Sequence, residues 1–307
     1  MVDLSKTNST AMRFFIIGLL TTLFISCTSS KKPDDQEFLS RLDSTDLTVN
    51  RDEEVINSIL EQIPNPLEIS VLLKQSGSKF DGSLLNNSEN LPKYNSNFKK
   101  ALNMGVFGTD LGYTNIYEKN KDGFNYIRSI KSLADDLNIG QFFDMESIGR
   151  LASNSNNLDS LILITTLNFN QINHYLQTGG RDNLSVLLLT GGWLEAMHIT
   201  CQVSSKSPSK ELNEKIGEQK IILEQILLLF SFYEDEPNMA ALLTDLNELN
   251  SVYEKVSINY TYKESSVEIV NGVGVVKDNS TTTVDITQQN IEEITNVVNA
   301  IRNKIIS

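Results

Sequence analysis

The chain has 307 residues, of which 26 are basic and 39 are acidic, so its formal net charge is −13 at neutral pH. This charge argues against a nucleic-acid partner, because binding phosphate needs clustered lysine and arginine. It is equally unfavourable for electrostatic adhesion to anionic lipid. Two histidines are too few for a metal centre built from several imidazoles. Of the two cysteines, Cys201 lies in an apolar segment, where we expect a free and buried thiol.

The N-terminal segment predicts an export signal that ends at a cysteine. Arg13 precedes twelve uncharged, mostly apolar residues, 14–25. That run is shorter than the roughly 20 residues of a transmembrane helix, but it suits the core of a secretory signal. Ser26-Cys27 follows, as in bacterial lipoprotein signals, which this segment resembles and in which the leader is removed and the cysteine carries lipid such as palmitate. Phe24 is bulkier than the leucine usual there, and the alternatives are an ordinary signal peptide or a buried helix with an incidental Cys27.

The predicted organisation is a signal peptide over residues 1–26, a flexible tether over 27–50 and a single helical domain over 51–307. The tether is polar and contains too few apolar residues to offset the entropy of ordering it. Its Lys31-Lys32-Pro33-Asp34-Asp35 sequence resembles the charged clusters that direct lipoproteins of Bacteroidota to the cell surface. If Cys27 is lipidated, no disulfide can form within the chain.

Helical periodicity dominates the domain. The predicted helices cover, in chain order, residues 51–63, 67–73, 97–117, 122–138, 144–153, 158–176, 182–203, 211–233, 238–256 and 288–305. Residues 76–95 are rich in Gly, Ser, Asn and Pro and predict a loop. Residues 266–286 are rich in Val and Thr and contain two turn signals, Asn271-Gly272 and Asp278-Asn279-Ser280, which predict one β-hairpin. The fold class is therefore mainly α, an antiparallel helical bundle with one short β-hairpin near the C-terminus.

Two of these helices contain an unusual number of glycines. Gly105, Gly108 and Gly112 are three and four residues apart, and therefore lie on one helix face. Each costs a helix interior roughly 0.5 to 1 kcal/mol relative to alanine. Gly191-Gly192 lies in the middle of the most apolar helix of the domain. Either the two helices pack tightly through their glycines, or a ligand lies in a cleft between them.

Asp110, Glu195 and His198 are the candidate site residues. Glu195 and His198 are the only acidic or basic residues between 183 and 203. A lone carboxylate in such a helix must reach solvent or meet a tyrosine hydroxyl, a basic side chain or helix-end amides, because burying an unpaired charge is very costly. If the two glycine helices pack together, Asp110 could lie beside Glu195, and the pKa of one of the two carboxyls would rise.

The Glu-x-x-His spacing of Glu195 and His198 also raises the question of a metal. Di-iron helical bundles use this motif twice, but here Gln171 stands three residues before His174, so a second copy is missing. A single metal held by Glu195, His198 and a distant aspartate is an alternative. The favoured interpretation is a partly buried polar cluster, with no metal and no cofactor.

The segments GVFGTDLGY, SLADDLNIG, GGWLEAMHI and IGEQKIILEQIL together resemble a helical lipoprotein family of Bacteroidota without an assigned activity. The resemblance covers about residues 95–250 and implies a lipid-anchored protein of the Gram-negative outer membrane, on its periplasmic or surface-exposed side. It transfers no catalytic residue. The expectation is a non-enzymatic binding or scaffolding module, anchored to the membrane through Cys27, with an envelope protein as candidate partner. The alternative is a hydrolytic or metal-dependent enzyme that uses Asp110, Glu195 and His198.

Overall fold

Helices fill most of the chain in the computed structural model, which confirms the predicted mainly α fold with strands near the C-terminus. The structure describes residues 46–65, 68–75, 77–144, 146, 148–149, 158–270 and 273–307. Residues 51–307 form one compact unit, and of the unit before it only 46–50 are described. The predicted signal peptide, Cys27, most of the tether and most of the predicted helix at 144–153 lie outside the described residues.

The described helices lie close to their predicted positions. Their bounds are α1 Asp46–Gln62, α2 Glu68–Gln75, α3 Asn97–Ile116, α4 Asn120–Asp136, α5 Leu158–Thr178, α6 Asn183–Lys206, α7 Lys210–Ser231, α8 Pro237–Tyr253 and α9 Gln288–Ile306. Only the start of α1 differs from the prediction by more than three residues. The predicted loop at 76–95 contains two short 3₁₀ turns, Gly82–Leu84 and Ser88–Lys93.

Hydroxyl side chains begin three of the helices that build the core. Ser96 accepts a hydrogen bond from the amide of Lys99 at the start of α3, and Ser209 accepts one from the amide of Leu212 at the start of α7. Thr287 and Asn290 form a reciprocal capping box at the start of α9. Each bond satisfies an amide that has no partner within the helix, so these residues determine where the helices start.

The centre of the domain is formed by α3 and α6, which pack against each other and are surrounded by α4, α7 and α9. Every residue from Gly191 to Cys201 is buried. Among the described helices, α6 is the one that is long and apolar enough to cross a membrane, yet 94% of its most apolar window is buried inside the protein. It is therefore a core helix. Cys201 is a free thiol within it, as predicted, and burial raises its pKa to about 12.

The strands form a longer hairpin than the sequence predicts. β1 Ser257–Thr261 pairs antiparallel with β4 Thr281–Asp285, and β2 Ser266–Val270 pairs antiparallel with β3 Val273–Lys277. Of the two predicted turn signals, Asn271-Gly272 falls in the sequence between the paired strands β2 and β3, but these two residues lie outside the described part of the chain. The β1 strand was missed because most of its side chains are polar or exposed and its sequence contains no apolar run.

Candidate functional site

The glycines allow α3 and α6 to approach each other backbone to backbone. A Cβ atom on Gly105 would lie 2.0 Å from the Leu188 carbonyl oxygen, and one on Gly191 would lie 2.0 Å from the Leu102 carbonyl oxygen. No side chain fits at either position. Thr109 strengthens the same contact, since its hydroxyl donates to the Gly192 carbonyl at 2.9 Å. The tight-packing interpretation is therefore confirmed for Gly105 and Gly191.

This close contact positions Glu195 against Arg302 of α9. The Arg302 guanidinium donates from Nε to Glu195 Oε2 at 2.9 Å and from Nη2 to Glu195 Oε1 at 2.8 Å. The Glu195 side chain is fully buried and that of Arg302 is 8% exposed. Of the partners considered for Glu195 from the sequence, the basic side chain is the one that the structure contains. This two-pronged geometry gives a strong ion pair and occupies both carboxylate oxygens.

Asp110 lies beside this ion pair, as the packing of the two glycine helices predicted. Its Oδ2 atom accepts from the Asn86 backbone amide at 3.2 Å, while no donor group of the described residues reaches its buried Oδ1 atom. Burial and the adjacent Glu195 charge hold the pKa of Asp110 well above its ordinary value. Protonated at Oδ1, Asp110 can donate a hydrogen bond to the Glu195 carboxylate, so that Oδ1 is no longer without a hydrogen-bond partner. With Asp110 neutral, the cluster carries no net charge.

The loop between α2 and α3 also contributes residues to the cluster, in addition to the helices α3, α6 and α9. Asn86 is fully buried and, besides its bond to Asp110, donates its side-chain amide to the Tyr94 hydroxyl at 2.9 Å and accepts the Tyr126 hydroxyl on its carbonyl at 3.0 Å. The Leu84 carbonyl, at the end of a 3₁₀ turn, accepts from Arg302 Nη2 at 3.0 Å. Burial raises the pKa of Tyr94 to about 12, so its phenol stays neutral.

His198 lies at the edge of the same cluster. Its Nε2 atom lies 3.1 Å from the Leu84 carbonyl oxygen, and its Nδ1 atom lies 2.7 Å from Asn299 Oδ1. Burial lowers the pKa of its ring, so it stays neutral near pH 7. Among the described residues, no three His, Cys, Asp or Glu side chains lie close enough together to hold a metal ion. The structure thus brings all three candidate residues together, but as a closed and internally paired group.

The free energy of unfolding should depend on pH because of Asp110. The unfolded chain ionises this group near its ordinary pKa of 3.8, whereas the folded protein keeps it protonated to higher pH. The folded state then binds more protons, so stability falls as pH rises through this window. Asp110→Asn removes the free-energy cost of keeping this buried carboxyl protonated above its ordinary pKa, and it keeps an acceptor for the Asn86 amide. We expect its stability advantage over the wild type to grow by up to about 1.4 kcal/mol per pH unit above pH 4.

Urea unfolding of the two proteins between about pH 5 and 7 checks this expectation. The low pKa of His198 changes stability in the opposite direction below its ordinary value of 6.5. Both proteins contain His198, so the difference between their unfolding free energies isolates Asp110. A difference that stays constant with pH would mean that Asp110 is ionised in the folded protein.

Beside the α3–α6 contact lies an apolar cavity of about 470 Å³, lined by residues of α1, α3, α4, α5 and α6. Its walls include Leu60, Met104, Ile130, Phe169, Ile172 and Leu188. Three glycines, Gly105, Gly108 and Gly192, also line it, and a Cβ atom on Gly108 would meet nothing within 4 Å. The volume is within the range of small-molecule pockets. The ligand-cleft alternative for the glycines is therefore retained for Gly108, which borders empty space.

Comparisons with protein families, with curated proteins and with solved structures found no match to this chain. Two features of the structure therefore bear on function. They are the apolar cavity and the closed polar cluster of Asp110, Glu195, His198 and Arg302.

The participants missed from the sequence include Arg302, Asn86 and the Leu84 carbonyl. For Arg302 a signal existed, because it lies on the buried stripe of α9 among Ile294, Val298 and Ile305. A basic residue on an apolar stripe needs a buried partner, just as Glu195 does. Asn86 and Leu84 belong to a loop, and no periodic pattern indicates which loop atoms turn inward.

Proposed function

We propose that the chain is a non-enzymatic binding module, tethered to the outer membrane through lipid on Cys27, and that its ligand occupies the apolar cavity. The observation that carries the proposal is the cavity itself, which has a volume of about 470 Å³, is lined by residues of five helices, and exposes bare backbone at Gly108. Pockets of this size with mainly apolar walls are the usual form of small-molecule sites. The tether would keep such a module close to the membrane, where apolar ligands concentrate.

The polar cluster supports the binding module over the hydrolytic alternative. A general acid or base must come within hydrogen-bond reach of a substrate. Asp110 and Glu195 are both fully buried, and both oxygens of Glu195 are engaged by Arg302. His198 contacts Asn299 and Leu84 with its two ring nitrogens. This arrangement favours a structural role, in which the cluster joins α3, α6, α9 and the loop that covers them.

Filling the cavity tests the proposed ligand site. Gly108→Phe places a ring into the space beside Gly108. The probe is decanol, which is neutral and linear. We expect the substitution to weaken decanol binding by about tenfold or more, because the probe can then bury less apolar surface. Affinity can be measured as the probe's effect on the unfolding temperature, because a ligand of the folded state raises it. Gly108→Leu provides a second, smaller filling in case the phenylalanine variant does not fold.

The matched control is Gly108→Ala, which changes the same backbone position but leaves most of the cavity empty. It should bind decanol with nearly the wild-type affinity. Wild-type protein that binds no decanol, or a Gly108→Phe variant that binds it as well as the wild type, would count against the cavity as the ligand site.

The membrane tether has its own test. In a Gram-negative host, the full chain should sediment with membranes and require detergent for release, because diacyl anchoring is stable whereas an acidic protein adheres poorly to anionic lipid. Cys27→Ser should move the protein to the soluble fraction. If that variant remains in the membrane fraction, Cys27 is not the anchor.

A further inference from the structure

The described residues of the cavity wall carry charge of one sign only, and it is negative. Among the described residues that line the cavity, Glu61 is the one with a charged side chain. Glu61 is exposed, close to the C-terminal end of α1, and therefore lies at the mouth of the cavity rather than in its depth. No lysine, arginine or histidine belongs to the same lining. An anionic head group would meet the negative charge of Glu61 at this mouth, and none of the described lining residues offers it a counter-charge.

The hydroxyl groups of the described lining residues already donate hydrogen bonds to backbone carbonyl groups of the protein. Thr109 donates its hydroxyl to the Gly192 carbonyl at 2.9 Å, and Thr166 donates its hydroxyl to the Ile162 carbonyl at 2.9 Å. The Asn65 side-chain amide donates to the Thr166 oxygen at 2.8 Å. A carboxylate or phosphate is usually bound by several donors that point at it. The Thr109 donor joins α3 to α6, the Asn65 amide reaches Thr166 of α5, and the Thr166 donor stays within α5. All three donors are used within the protein, which favours a ligand that brings its own donors.

We infer that the cavity binds the alkyl chain of a long-chain amine, with the ammonium head group beside the Glu61 carboxylate. This inference rests on the proposed function, since it names the ligand class of the same cavity. The apolar walls take up the chain, whose burial supplies most of the affinity. An ammonium group has three donors and no acceptor, so it matches a mouth that presents a carboxylate. The overall charge of −13 also favours the approach of a cation.

Three ligands of equal chain length separate the head group from the chain, namely decylamine, decanol and decanoate, each used below its micelle concentration. On the wild type we expect decylamine to bind about two- to fivefold tighter than decanol, the factor typical of one exposed ion pair. Decanoate should bind more weakly than decanol. The preference for the amine should shrink at high salt, because salt screens exposed charges.

Two matched variants separate Glu61 from the general acidity of the protein. Glu61→Gln should bind decylamine and decanol nearly equally. Glu54→Gln removes the same charge from the same helix at an exposed position that does not line the cavity, and it should keep the wild-type preference. Decylamine that still binds to Gly108→Phe measures adhesion outside the cavity and is subtracted.

The outcomes distinguish this inference from the proposed function. If decanol binds and Gly108→Phe abolishes its binding, but decylamine binds no tighter than decanol, the cavity is a ligand site and the amine inference is wrong. The inference is also wrong if Glu54→Gln lowers the preference as much as Glu61→Gln, or if decanoate binds tightest. If none of the three ligands binds to the wild type, the proposed function and the inference both fail.

Discussion

Arg302→Met is expected to lower the free energy of unfolding by about 3–5 kcal/mol, because it leaves the Glu195 carboxylate buried without its partner. The two guanidinium bonds to Glu195, at 2.8 and 2.9 Å, are lost together with the bond to the Leu84 carbonyl. Chemical denaturation at neutral pH measures the loss.

Lys304→Met is the matched control, since it removes another cation from the same helix. Lys304 pairs with Asp245 at 2.7 Å, but its side chain is 62% exposed. Exposed pairs contribute about 0–1 kcal/mol, so this variant should be nearly neutral. A double variant, Glu195→Gln with Arg302→Met, should recover part of the stability, because no charge is then left unpaired. If Arg302→Met proves no more harmful than Lys304→Met, Glu195 has another partner or reaches water.

Gly105→Ala is expected to destabilise the protein by about 1–3 kcal/mol or more, the range of an overpacked core position. Its new methyl group would lie 2.0 Å from the Leu188 carbonyl oxygen and 2.6 Å from the Gly192 amide nitrogen. Both neighbours are backbone atoms of α6, so they cannot swing aside as a side chain would. The two helices must separate, and this also disturbs the Thr109 bond to Gly192.

Gly108 lies about one turn further along the same helix, and there the substitution Gly108→Ala should stabilise the protein instead of destabilising it. Its methyl group meets nothing within 4 Å, so the variant gains the roughly 0.5–1 kcal/mol by which alanine exceeds glycine in a helix interior. The comparison cancels helix propensity and leaves only the packing difference. Equal effects of the two substitutions in chemical denaturation would argue against the close α3–α6 contact.

The sequence predicted much of this architecture because helices in a bundle are encoded locally. Apolar spacing along each segment predicted the helices to within a few residues. The polar cluster was foreseen in part. Asp110 and Glu195 each stood out as charges within apolar helices, and the glycines indicated that those helices meet.

The partners of these residues were harder to predict. Arg302 is separated from Glu195 by 107 positions, and Asn86 from Asp110 by 24. Such pairings depend on how the helices and the covering loop are arranged in space, and a single sequence carries no periodic signal for that. The same holds for the glycines, since spacing alone could not tell that Gly105 meets a backbone while Gly108 borders a cavity.

The sequence by itself determined the helices, the hairpin region and the residues that could not remain alone in an apolar environment, because these follow from local spacing and from the cost of burying charge. The tertiary structure alone decided which partner neutralises Glu195, which carboxyl keeps its proton, and where beside the α3–α6 contact space is left for a ligand. These three outcomes depend on distances of a few ångströms between segments far apart in the chain. Such distances are settled only when the helices pack.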